Sequence, residues 1–111
     1  MSEDMEPLAA KLHVEAERDG TEATITVEGE LDRSDTGRFW AYLSEVLQSR
    51  PASIFVDARG LTFMDSSGLR CLLRARAASD ETGVAFHIRD PSPTLRRMVE
   101  RTGLRSLLLD E

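Results

Sequence analysis

The residues of this chain best suited to chemistry stand together at Asp65-Ser66-Ser67-Gly68: an acid, two hydroxyls and a glycine. Asp and Ser side chains accept hydrogen bonds from the free N–H groups that open a helix, so the group reads as a helix start. The same donors, with the helix dipole, attract a negatively charged group. Two roles are therefore open. One is a capped turn with Ser66 or Ser67 as N-cap and Gly68 chosen for close approach. The other is a phosphate site, by binding or by covalent modification. Nucleophilic catalysis is poorly provided for: a serine nucleophile needs a base, and the histidines are His13 and His87, both at alternating strand positions. Asp65 is a weak base at an ordinary pKa of about 4. No glycine stands two places before either serine, so the elbow Gly-x-Ser-x-Gly is absent. A glycine-rich loop followed by lysine is also missing, which excludes a phosphate-cradling nucleotide loop. Asp32, Asp57 and Asp65 fall near strand ends without the compact spacing of metal ligands, so neither metal nor other cofactor is expected.

Composition narrows the field further. A chain of 111 residues with 41% hydrophobic content fits one compact domain. The net charge of −6 argues against a nucleic-acid binder, whose phosphate contacts need clustered cations. Lys11 is the sole lysine, and the arginines are interleaved with acids; Arg96, Arg97, Arg101 and Arg105 read as a solvated helix face. Cys71 is the sole cysteine and sits in an apolar helical run, as a small buried hydrophobe would. A reducing, cytoplasmic setting is the economical expectation. The acidic start Met1-Ser2-Glu3-Asp4 is unlike a signal peptide, and no apolar run approaches membrane-spanning length.

The elements that must position Asp65 to Gly68 follow from periodicity. Residues 1–11 read as a polar lead-in, and 12–111 as the domain. Leu12, Val14 and Ala16 alternate with polar residues, then Asp19-Gly20 turns the chain, and Ala23, Ile25 and Val27 alternate again. Two antiparallel strands are expected. After Gly29-Glu30-Leu31-Asp32, Ser34 or Asp35 is placed to cap a helix burying Phe39, Leu43, Val46 and Leu47, with Trp40 at its margin. Ser53 to Asp57 is a short run without polar alternation, expected as a strand covered on both faces. The next helix spans about Ser67 to Ser79, apolar at Leu69, Leu72, Leu73 and Ala77. Val84, Phe86 and Ile88 form a strand. Ser92 as N-cap and Pro93 at the first helical position open a helix with Leu95, Met98, Val99 and Thr102 inward, and Gly103 follows its end. Leu107-Leu108-Leu109 is either an edge strand or a docked tail. The result is a single small α/β domain with a mixed sheet that opens on an antiparallel pair.

The run Thr62-Phe63-Met64-Asp65-Ser66-Ser67-Gly68-Leu69 resembles the signature of STAS domains, specifically the bacterial anti-sigma factor antagonists. Gly29-Glu30-Leu31-Asp32 resembles that family's early strand-end motif. Pro91-Ser92-Pro93 with Leu95, Arg97 and Thr102-Gly103-Leu104 resembles its last helix, so the likeness covers about Leu12 to Leu109. It implies a binding switch and no enzyme. Such proteins bind an anti-sigma factor that is also a serine kinase, which frees a sigma factor. The kinase phosphorylates the serine after the motif's Asp, here Ser66, and a serine phosphatase restores the binding form. Asp32 matches the acid beside that serine, and the implied partner surface is Asp32, Met64, Asp65, Ser66, Ser67 and Gly68. No direct nucleic-acid or membrane contact is implied. Asp35-Thr36-Gly37 departs from the family's Thr or Ser followed by Ala at the first long helix, which alters the surface beside Asp32. Within the same fold the alternative is a STAS subunit of another signalling or transport assembly. Outside it, the alternative is a small-ligand or nucleotide-binding module.

Overall fold

A computed structural model describes residues 11–109, so the expected lead-in at residues 1–10 lies outside the described part. Lys11, counted with that lead-in from sequence, is described: its carbonyl accepts from the Glu30 N–H at 2.8 Å. Strands β1 (Leu12–Asp19) and β2 (Glu22–Leu31) pair antiparallel; β2 and β3 (Ser53–Met64) pair parallel, as do β3 and β4 (Ala85–Arg89). The strand order is β1-β2-β3-β4, one mixed sheet. Helix α1 (Thr36–Gln48) joins β2 to β3, and α2 (Ser66–Glu81) joins β3 to β4. Helix α3 (Pro93–Thr102) and the single turn α4 (Arg105–Leu108) complete the chain.

The hairpin forms where alternation places Leu12, Val14, Ala23, Ile25 and Val27 on one face, and all five are buried. Ile54, Val56 and Phe86 continue that face, and Phe39, Leu43, Leu72 and Ala75 close over it from α1 and α2. Fully burying a Leu or Ile contributes about 1.5–3 kcal/mol, so this layer dominates the stability. The opposite face carries Glu17, Thr24, Phe55 and His87 in one row and Glu15, Thr26, Asp57 and Arg89 in the next. These residues are exposed or half-buried. The expectation that β3 is covered on both faces is thus corrected. Phe55 escapes full exposure by stacking on His87 at 5.1 Å, with the Arg89 guanidinium 4.3 Å from its ring.

Strand β3 is longer than the apolar run predicts. The expected strand stops at Asp57, yet pairing continues to Met64 with register irregularities opposite Thr26 to Glu30. Beyond Asp57 the strand has outrun β4, and α3 takes over that edge: Ser92 N–H donates to Ala58 O at 3.2 Å, and Thr94 Oγ donates to Thr62 O at 3.2 Å. The sequence signals for α3 are borne out at both ends. Ser92 accepts from Leu95 N–H at 3.2 Å, Pro93 follows it, and Gly103 is left-handed at φ +74. Thr102, expected inward, is exposed. On α2 the inward residues are Leu69, Cys71, Leu72 and Ala75, while Ala77 is exposed. Leu107 and Leu108 end the short α4 and Leu109 follows it; Leu108 and Leu109 are buried while Leu107 is exposed, as in a docked tail.

Burial of Cys71 pushes its thiol up to about 11. A thiolate-selective reagent at about pH 8 is therefore expected to modify native protein far more slowly than unfolded protein. Equal rates would show that Cys71 is not held in the core. Replacing Ser92 by Ala is expected to lower unfolding stability by about 1 kcal/mol through loss of the cap, measurable by denaturant titration.

Candidate functional site

The end of β3, the start of α2 and the loop after β2 meet at one rim. Met64 is the last residue of β3, and Asp65 has extended backbone, φ −101 and ψ −174, which turns the chain into α2. Asp65 Oδ1 accepts from the Gly68 N–H at 3.0 Å, so the N-cap is the acid. Sequence reading assigned that role to Ser66 or Ser67; the correction has a simple cause. A carboxylate in the extended residue before the first turn reaches the third N–H, whereas Ser66 and Ser67 are already helical. Ser66 is thereby released from structural duty. It occupies the first helical position, is exposed, and its hydroxyl is engaged by no described residue. The N–H groups of Ser66 and Ser67 likewise have no acceptor among the described residues. Exposed hydroxyl and free donors lie side by side.

Gly68 explains how closely the two loops approach. A Cβ there would collide with the carbonyl oxygen of Leu31 and stand 2.7 Å from Met64 Cγ. Leu31 directly precedes Asp32, so this contact brings Asp32 to the α2 start. Asp32, Arg33, Ser34, Phe63, Asp65 and Ser67 then line one shallow depression of about 490 Å3. A smaller hollow of about 180 Å3 adjoins it, lined by Arg33, Thr36, Ser67, Arg70, Cys71 and Arg74. Arg33 and Ser67 border both, so the acids Asp32 and Asp65 and the arginines Arg33, Arg70 and Arg74 lie around the α2 start.

Of the residues expected at the partner surface, Asp32, Asp65, Ser66 and Ser67 come together at this rim. Met64 does not: at 3% exposure it is core, because the extra length of β3 turns it onto the buried face. Gly68 is also buried and acts through close packing. The residue that sequence reasoning passed over is Phe63. It is 48% exposed beside Asp65, one strand position from buried Met64, and is a rare large apolar side chain on this surface. Strand alternation would not have found it, because Thr62 and Phe63 are both exposed between buried Leu61 and Met64, where the β3 register is irregular. Arg33, Arg70 and Arg74 were missed because they are separated in sequence.

Asp35 departs from expectation too. It stands at the N-cap position of α1, but its side chain makes no capping hydrogen bond and pairs with Lys11 Nζ at 3.2 Å. Asp32 holds Lys11 as well, and accepts from Ser34 N–H and Oγ at 2.9 and 2.7 Å. Among the described residues no group of His, Cys, Asp and Glu is arranged to hold a metal ion. No described helix is long and apolar enough to cross a membrane.

The same fold recurs among anti-sigma factor antagonists of known structure. The unphosphorylated anti-sigma factor antagonist SpoIIAA has this fold, with a TM-score of 0.73 at 24% identity over 87% of this chain and 86% of that one. Its phosphorylated form, from Bacillus, superposes with a TM-score of 0.69 at 25% identity, covering 87% and 89%. The chain belongs to the STAS family: the family model described as Mlab, STAS domain, matches residues 14–110. It is 29% identical over 93 residues to an anti-sigma F factor antagonist of Lysinibacillus sphaericus, covering 81% of this chain and 80% of that one.

Two stability measurements follow from this geometry. Asp65→Ala is expected to cost about 1 kcal/mol through loss of the cap, whereas Ser66→Ala should stay within about 0.5 kcal/mol of wild type. The reverse order would make Ser66 the structural residue. Gly68→Ala is expected to cost about 1–3 kcal/mol by overpacking against Leu31 and Met64.

Proposed function

We propose that the protein is a cytoplasmic anti-sigma factor antagonist that works by partner switching. In its unphosphorylated form it binds an anti-sigma factor that is also a serine kinase, and so releases a sigma factor. Phosphorylation of Ser66 switches it off, and a serine phosphatase restores it. The partner surface is Asp32, Phe63, Asp65, Ser66 and Ser67, and the protein itself catalyses nothing. The observation that carries this reading is the division of labour at the α2 start: Asp65 caps the helix, which leaves the Ser66 hydroxyl exposed and unengaged. Relatives named as anti-sigma F factor antagonists support it, as does the existence of a phosphorylated form of SpoIIAA.

The chemistry of the switch is electrostatic. A phosphoryl group adds about −1.5 to −2 charges and three acceptor oxygens. The free N–H groups of Ser66 and Ser67 receive such a group with little change of fold. A partner that has packed against a neutral hydroxyl must then bury or displace the new charge, at a cost of several kcal/mol. Phe63 supplies the apolar anchor of the same surface, of the kind that dominates binding energy at small interfaces.

Incubation with the anti-sigma factor kinase and ATP is expected to add the mass of one phosphate to wild type and none to Ser66→Ala. Phosphate found on Ser67 alone would overturn the assignment. A pull-down from the native cell with unphosphorylated protein should recover the anti-sigma factor, and Ser66→Asp should lose it while retaining the wild-type circular dichroism spectrum. Phe63→Ala is expected to weaken the complex by about 2 kcal/mol without lowering stability, as read by calorimetry. One observation favours a second reading: the family model is described as Mlab and not as an antagonist. On that reading the chain is a STAS subunit of another assembly, and Ser66 takes no phosphate from any kinase that binds it.

A further inference from the structure

Asp32 is not a bare acid. Its Oδ1 accepts two hydrogen bonds from Ser34, at 2.9 Å from the backbone N–H and 2.7 Å from the hydroxyl. Its Oδ2 is paired with the ammonium of Lys11, which also reaches Asp35 Oδ2 at 3.2 Å. Lys11 is in turn held by its backbone. Its carbonyl accepts from Glu30 N–H at 2.8 Å and lies against Gly29, where φ is +98 and any Cβ would collide with that carbonyl. The chain's sole lysine is therefore aimed at two carboxylates by a glycine that no other residue replaces without strain. Among the described residues it is the cation within ion-pair distance of either acid.

We propose that Lys11 sets the charge of the partner surface: it neutralises and fixes Asp32, so that the unphosphorylated protein presents a closed ion pair there. The inference rests on the partner-switching reading of Ser66 and deepens it. Asp32 and Asp65 line the same depression, so an unpaired Asp32 would place a second carboxylate charge without a cation beside the partner contact. Loss of Lys11 thus releases about one negative charge where phosphorylation adds about 1.5 to 2. The lysine variant is a partial mimic of the phosphorylated state. Lys11 is a positioning residue, acting on the partner through Asp32. The same contacts hold the Asp32 carboxyl far below its usual 3.8, the Lys11 hydrogen bond foremost and those from Ser34 next, and raise Lys11 above 10.5 through Asp32 first.

The test takes the full chain as wild type, Lys11→Gln and the charge-retaining Lys11→Arg. Two quantities are read: the Asp32 carboxyl titration by carbon-detected NMR, and affinity for the anti-sigma factor recovered by pull-down. The Asp32 carboxyl should titrate below its usual range in wild type, move up in Lys11→Gln while the Ser34 hydrogen bonds still hold it down, and move back down in Lys11→Arg. Affinity should fall about tenfold in Lys11→Gln and recover to within about threefold in Lys11→Arg. An Asp32 titration unchanged by Lys11→Gln overturns the pairing. A shifted titration with unchanged or increased affinity overturns the role at the partner surface. If wild type itself does not bind while the titration behaves as expected, the partner-switching reading fails and the surface role with it, and the ion pair alone stands.

Discussion

The hydrogen bond from Gly68 N–H to the Asp65 carboxylate is the interaction on which the site depends. A helix start needs side-chain acceptors, and two serines stand ready to serve. Because the acid takes that work, Ser66 carries no structural load. The glycine that donates the bond is also the point where α2 meets β2, since only a residue without Cβ fits between Leu31 and Met64. One short turn therefore both frees the hydroxyl and draws Asp32 toward it.

The rest of the fold holds that turn steady. β3 ends in buried Met64 and α2 begins by burying Leu69, so the exposed residues between them are flanked by core on both sides. α3 covers the edge of β3 just beneath, with Thr94 bonded to Thr62 O. In the proposed switch, a charge added at Ser66 meets free N–H groups outside this frame and disturbs no packing inside it, so the surface changes sign without the domain unfolding.

Much of the architecture was legible in the residues because local signals agreed with the final packing. The β1–β2 alternation, the Asp19-Gly20 turn and the Ser92-Pro93 to Gly103 helix are cases where short-range chemistry decides the structure. What was not legible depends on contacts distant in sequence. β3 runs on past Asp57 through Arg59 and Gly60 because β2 and α3 supply partners for its backbone, which no local pattern announces. That extra length moved Met64 into the core and turned Phe63 outward. The Lys11 pairing joins residues 21 and 24 positions apart, and only the folded hairpin brings them together. The resemblance carried by Thr62 to Leu69 pointed to the proposed switch; the geometry assigns the cap to Asp65 and the close approach to Gly68 and leaves Ser66 exposed.

The most direct test compares amide nitrogen–proton NMR spectra of the unphosphorylated and the Ser66-phosphorylated protein. Shift changes are expected to be confined to residues 31–35 and 63–70, with the Ser66 and Ser67 amides moving most as they bond the phosphate. Changes spreading through Ile25, Val27, Ile54 and Val56 in the core would contradict the account, because they would mean that the phosphate acts by rearranging the domain.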